Sequence, residues 1–99
     1  MAKLIEIKGK LKKLGPLLKE KFKVKRIGIF GSYIKGEEKK GSDVDILVEF
    51  EETAILSLLD FINLENYLSE ALGVKVDLVE ETTLKPRIGK HILEEVVHL

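Results

Sequence analysis

Three short runs dense in aliphatic residues constrain this chain more than anything else in it: Arg26–Phe30 (RIGIF), Asp43–Phe50 (DVDILVEF) and Val74–Val79 (VKVDLV). Runs of this length, rich in Val and Ile and bounded by glycine or polar residues, read as strands. The apolar residues around them follow a different period. Leu4, Ile7, Leu11, Leu14 and Leu18 recur at three- and four-residue steps, as do Ile55, Leu59, Ile62 and then Leu68 and Leu72 within Thr53–Leu72. That is helical spacing, and Gly73 stands where a helix C-cap belongs. Gly15-Pro16 interrupts the first helix, which predicts a kink or two shorter helices. Gly31-Ser32 ends the first strand, Tyr33–Gly36 has room for one helical turn, and Glu37–Ser42 reads as a polar loop. Leu84–Glu95 is expected to form a last helix with Pro86 near its start, and Val96–Leu99 a short terminal strand. The order α-β-β-α-β-α-β describes a mixed sheet with helices. With 99 residues, it is expected to enclose one core and form a single domain, 1–99.

Composition narrows the setting. No apolar run is long enough to span a bilayer, and Met1–Lys10 is too charged for a signal peptide. Without cysteine there is no disulfide framework and no thiolate metal site. A cytoplasmic protein with no membrane association is expected. The abundance of Lys and Glu, with no Cys or Gln, leans towards a heat-adapted source. The formal net charge is zero, yet residues 1–26 hold nine lysines and Arg26 against Glu6 and Glu20 alone. This excess is either a solvated helix face or a docking surface for an acidic partner or nucleic acid.

The chemistry concentrates between Gly28 and Phe50. Backbone N–H groups at a strand-ending Gly-Ser turn favour phosphate oxygens, glycine permits close approach, and the Ser32 hydroxyl adds a donor. A side chain at position 31 is therefore expected to obstruct a triphosphate while affecting stability less. The turn is not a Walker A loop, whose Gly-Lys-Ser/Thr ending is missing. Asp43 and Asp45, two residues apart on a strand, project from one face, where a divalent cation would relieve their repulsion. An EF-hand does not fit, since its glycine would fall on Val48 and its last glutamate on Ala54. Asp77 has the opposite parity to Val74, Val76 and Leu78, and joins the pair if the two strands are neighbours. The chain has only four aspartates against thirteen glutamates, and three of those four fall here. Three carboxylates can hold two Mg²⁺ ions about 3.5–4 Å apart, the arrangement for in-line displacement at phosphorus.

These residues resemble a known family. GSYIKGEEKKGSDVDILV is similar to the signature of the polymerase-β-type nucleotidyltransferases: Gly-Ser, a glycine four residues on, then Ser-Asp-x-Asp, with the third carboxylate supplied by the later VDLV. Length and element order resemble the minimal nucleotidyltransferases, often encoded beside a HEPN-domain protein. The resemblance implies an α+β fold, a small mixed β-sheet with helices packed on one face. It implies that Gly31 and Ser32 hold the β- and γ-phosphates of ATP, with Lys35 and Ser42 also at the nucleotide. Asp43 and Asp45 would bridge two Mg²⁺ ions. Asp77 would bind the ion nearer the acceptor and help deprotonate its hydroxyl. One departure is Lys35, where the family usually has arginine; lysine keeps the charge and loses the bidentate fork.

The implied activity is transfer of AMP to a hydroxyl, with a tyrosine of a HEPN toxin as acceptor and this chain as antitoxin. The other readings are a transferase for a small hydroxylated molecule and a non-catalytic module that neutralises a partner by contact. Nucleic acid is a less favoured partner. Elsewhere, Tyr33 either lines the nucleotide or packs, Arg87 reaches phosphate or solvent, and His91 and His98 make a poor metal pair.

Overall fold

The computed structural model describes residues 4–36, 43–54, 56–80 and 96–99. Helix α1, Leu4–Phe22, runs unbroken through Pro16. Pro16 stands on the exposed face, as does Lys12, so the Lys12 carbonyl that proline leaves without a donor can bond water instead of breaking the helix. Ile7, Leu11 and Leu18 are buried on the other face, with Leu4 and Leu14 partly so. Lys23, at φ 59°, turns the chain out of the helix. Strand β1 (Val24–Phe30), the single turn α2 (Ser32–Lys35), strand β2 (Val44–Phe50), helix α3 (Leu58–Leu72), strand β3 (Val76–Glu80) and strand β4 (Val97–His98) follow. The expected helix over 84–95 lies outside the described residues, as do the loop 37–42 and Ile55.

Helix α3 starts five residues later than the apolar spacing suggests. Ser57 sets its beginning through a capping box: the Asp60 N–H donates to Ser57 Oγ at 3.2 Å, and the Ser57 N–H donates to Asp60 Oδ2 at 3.0 Å. The buried stripe is Leu64, Leu68 and Leu72. Leu59 and Ile62, expected on the core face, are 66% and 41% exposed. A helix this rich in apolar residues offers two plausible faces, and contact with the sheet selects one.

The sheet order is β3-β2-β1-β4. β1 pairs antiparallel with β2 and with β4, and β2 pairs parallel with β3 across the α3 crossover. One face carries Ile27, Ile29, Val44, Ile46, Val48, Val76 and Leu78 into a core shared with α1 and α3. The expected α+β architecture, a small mixed sheet with helices on one face, is what forms. No helix among the described residues is long and apolar enough to cross a membrane.

Candidate active site

The face of the sheet turned away from α1 and α3 carries the acids. Register places Phe30, Asp45 and Asp77 in one row across β1, β2 and β3, and Gly28, Leu47 and Val79 in a second. Arg26 and Glu49 form the next pair, with Arg26 Nη2 donating to Glu49 Oε2 at 2.8 Å. Asp77 is exposed between the buried Val76 and Leu78, as its parity requires. Asp43 sits one residue before β2 and shares the parity of Asp45. Lys75 reaches it from the start of β3, Nζ lying 3.9 Å from Asp43 Oδ2. The parallel pairing thus brings all three aspartates to the same end of one sheet face.

Asp45 is the perturbed member of the three. Burial holds the Asp45 carboxyl above its ordinary value of 3.8, and the charges of Asp77 and then Asp43 raise it further, with a hydrogen bond to Asp77 acting in the same direction. Among the described residues, no three His, Cys, Asp or Glu side chains close on a common point. Asp45 leans on Asp77, whereas Asp43 is drawn towards Lys75. The donor set is nonetheless suited to a hard cation: carboxylate oxygens only, held on rigid strands, with a repulsion that a divalent ion would remove.

Gly31 is built into this cluster. It follows Phe30, the register partner of Asp45, so its Cα lies against the Asp45 side chain. A Cβ at position 31 would stand 3.0 Å from Asp45 Cγ and nearer still to Oδ2. Its φ of 77° and ψ of −149° belong to a region essentially reserved for glycine. The Gly31 carbonyl accepts from the N–H groups of Ile34 and Lys35, both at 3.1 Å, which winds α2, and Gly36 closes it in the left-handed conformation. Gly31 therefore bears directly on stability, which departs from the expectation that bulk there would affect stability less than it obstructs a triphosphate.

The remaining candidates separate. Ser32 follows Gly31 and is half-buried, and Lys35 is exposed at the end of α2. Tyr33 is buried in the core, so it packs. Ser42, Arg87 and His91 lie outside the described residues. Sequence reasoning missed Lys75, although its position two residues before Asp77, just ahead of β3, was a usable signal. It also missed Glu65 and Ser69, whose side chains reach the outer edge of β3.

Comparison with known proteins agrees with this geometry. Residues 11–99 match the nucleotidyltransferase domain family. A Thermococcus cleftensis protein named protein adenylyltransferase MntA is 57% identical over 82 residues, covering 83% of this chain and 81% of that protein. A solved structure provisionally identified as a minimal nucleotidyltransferase superposes with a TM-score of 0.82 at 35% identity, covering 98% of this chain and 96% of that one. A crystal structure of a toxin–antitoxin with AMP-PNP contains a chain matching at TM-score 0.72 and 27% identity, over 88% of this chain and 69% of that one. With a family match over most of its length and aspartates in register on the sheet face that motif predicts, the chain belongs to the nucleotidyltransferase family.

Proposed function

We propose that this chain is a Mg²⁺-dependent protein adenylyltransferase that moves AMP from ATP to a tyrosine hydroxyl of a HEPN-domain toxin, and so acts as its antitoxin. The observation that carries the reading is the register of Asp45 with Asp77 on neighbouring parallel strands, with Gly31 packed against Asp45. In this reading Gly31 and Ser32 receive the β- and γ-phosphates, with Lys35 and Ser42 at the same nucleotide. Asp43, Asp45 and Asp77 would hold the Mg²⁺ ions, with Asp77 also serving the acceptor hydroxyl. Mg²⁺, when bound, neutralises phosphate charge and lowers the pKa of a nearby hydroxyl. The acceptor oxygen forms a bond to the α-phosphorus as the bond from that phosphorus to the β-phosphate oxygen breaks. Pyrophosphate leaves, and the hydroxyl proton passes to Asp77.

Three observations support a protein acceptor. The 57%-identical relative carries the name protein adenylyltransferase, and a similar chain occurs in a toxin–antitoxin with an ATP analogue. The exposed Asp77 also leaves the acceptor side of the row open to solvent. The test combines this chain, a HEPN-domain protein encoded beside it, Mg²⁺ and α-labelled ATP. Label is expected on the partner, with intact mass increased by AMP units. Asp77→Asn should abolish transfer and leave association intact. Inhibition of an unlabelled partner would favour a binding module, and label confined to a small molecule would favour the second enzyme reading.

A further inference from the structure

Among the described residues β3 is an outer strand of the sheet, so alternate N–H groups along it point away from β2. Unsatisfied, such groups weaken an edge strand and invite pairing with foreign strands. Two of them are taken by side chains of α3. The Val76 N–H donates to Ser69 Oγ at 3.0 Å, and the Leu78 N–H donates to Glu65 Oε2 at 3.0 Å. Ser69 Oγ donates in turn to the Glu65 carbonyl at 2.9 Å. The two contacts thus come from adjacent positions on one turn of a helix seated in the core by Leu64, Leu68 and Leu72.

Asp77 is the residue between the two clamped amides. Because backbone groups alternate along a strand, its own N–H and carbonyl turn inwards to β2, where it is in register with Asp45. The backbone at Asp77 is therefore held from both sides, by the sheet on one and by α3 on the other. Glu65 and Ser69 reach only the strand edge, and the Asp77 carboxylate projects from the face opposite the helices.

We infer that Glu65 and Ser69 are positioning residues for Asp77: they fix the outer edge of β3 so that the Asp77 carboxylate keeps the spacing from Asp45 that a shared metal ion needs. The inference rests on the proposed role of Asp77 as a metal ligand. Partners bonded directly to a metal ligand are typically worth about 10–100-fold in metal affinity or activity, and Glu65 and Ser69 act one step further out, through the backbone on either side of the ligand. What matters at position 65 is an acceptor oxygen, which glutamine also supplies.

The test uses the full chain with Glu65→Leu, Glu65→Gln, Ser69→Ala and Asp77→Asn. Mn²⁺ binding is measured by calorimetry, transfer by kcat and KM for ATP, and folding by thermal melts. Glu65→Leu is expected to weaken Mn²⁺ binding and lower kcat about 10–100-fold, with KM for ATP little changed. Ser69→Ala should move both in the same direction by less, and Glu65→Gln should restore both. If Glu65→Leu is folded and binds Mn²⁺ as the unmodified chain does, the inference is overturned. It is equally overturned if Glu65→Gln is as impaired as Glu65→Leu. Should Glu65→Leu fail to fold, unchanged Mn²⁺ binding and kcat in Ser69→Ala overturns it instead. Asp77→Asn separates the two levels: normal Mn²⁺ binding and transfer in that variant would remove the metal role of Asp77 itself, whatever Glu65 does.

Discussion

At the scale of single residues, Asp45 is an acid whose surroundings oppose its charge. Its carboxyl titrates above the ordinary value because it is partly buried beside Asp77 and Asp43. The folded chain therefore binds this proton more tightly than the unfolded chain does. The resulting stabilisation is fully present below 3.8, the unfolded value, and is lost as pH rises through the higher folded value. In EDTA at neutral pH, Asp45→Asn should accordingly melt at a higher temperature than the unmodified chain, and the difference should shrink on acidification. In Mg²⁺ the same change should lower transfer by about 10²–10³-fold, the equivalent of several kcal/mol of lost charge stabilisation. A melt unchanged at both pH values would show that the acids do not burden the fold. Gly31→Ala tests the neighbouring position. A non-glycine residue at that φ and ψ costs about 1–3 kcal/mol, and its Cβ displaces the Asp45 carboxylate. Denaturant unfolding should register the loss of stability, and transfer should fall with it. Loss of ATP binding at unchanged stability would instead mean that the glycine serves only the nucleotide.

At the scale of elements, local chemistry sets boundaries that periodicity misses. The apolar spacing from Ile55 onwards extends helix α3 back to Thr53, yet the helix begins at Leu58 because Ser57 and Asp60 satisfy each other's backbone N–H groups. The Ser57–x–x–Asp60 spacing was legible in the sequence, although the capping partner is aspartate where glutamate or glutamine is usual. Ser57→Ala should cost about 1 kcal/mol, read as a lower denaturant midpoint at unchanged slope, with metal binding intact because the cap is remote from the Asp45–Asp77 row. The burial of α3 was less legible. Leu58, Leu59 and Ile62 form one apolar group and Leu64, Leu68 and Leu72 another, and sequence alone gives no reason to prefer either. The second packs on the sheet, and with it Glu65 and Ser69 reach the edge of β3.

At the scale of the whole molecule, charge and chemistry sit on opposite sides. The exposed lysines of α1, among them Lys10, Lys13, Lys19 and Lys21, belong to the helix layer, and the three aspartates lie on the other face of the sheet. The exposed lysines of α1 are therefore not on the sheet face that carries the acids. What the sequence determined by itself was the set of helices and strands among the described residues and the parity of Asp45 and Asp77 on their strands. Strand and helix periods are local properties, and so is strand parity, which correctly aimed Asp77 away from the core residues Val76 and Leu78. Which strands are neighbours is not local. Register between β2 and β3 depends on how α3 crosses back over the sheet and on which of its faces is buried, and only that packing makes Asp45 and Asp77 partners. The close approach of Gly31 to Asp45, the reach of Lys75 to Asp43 and the clamp on β3 follow from the same pairing. Each joins residues distant in the chain, and a contact of that kind exists only once the hydrophobic core has fixed where the strands lie.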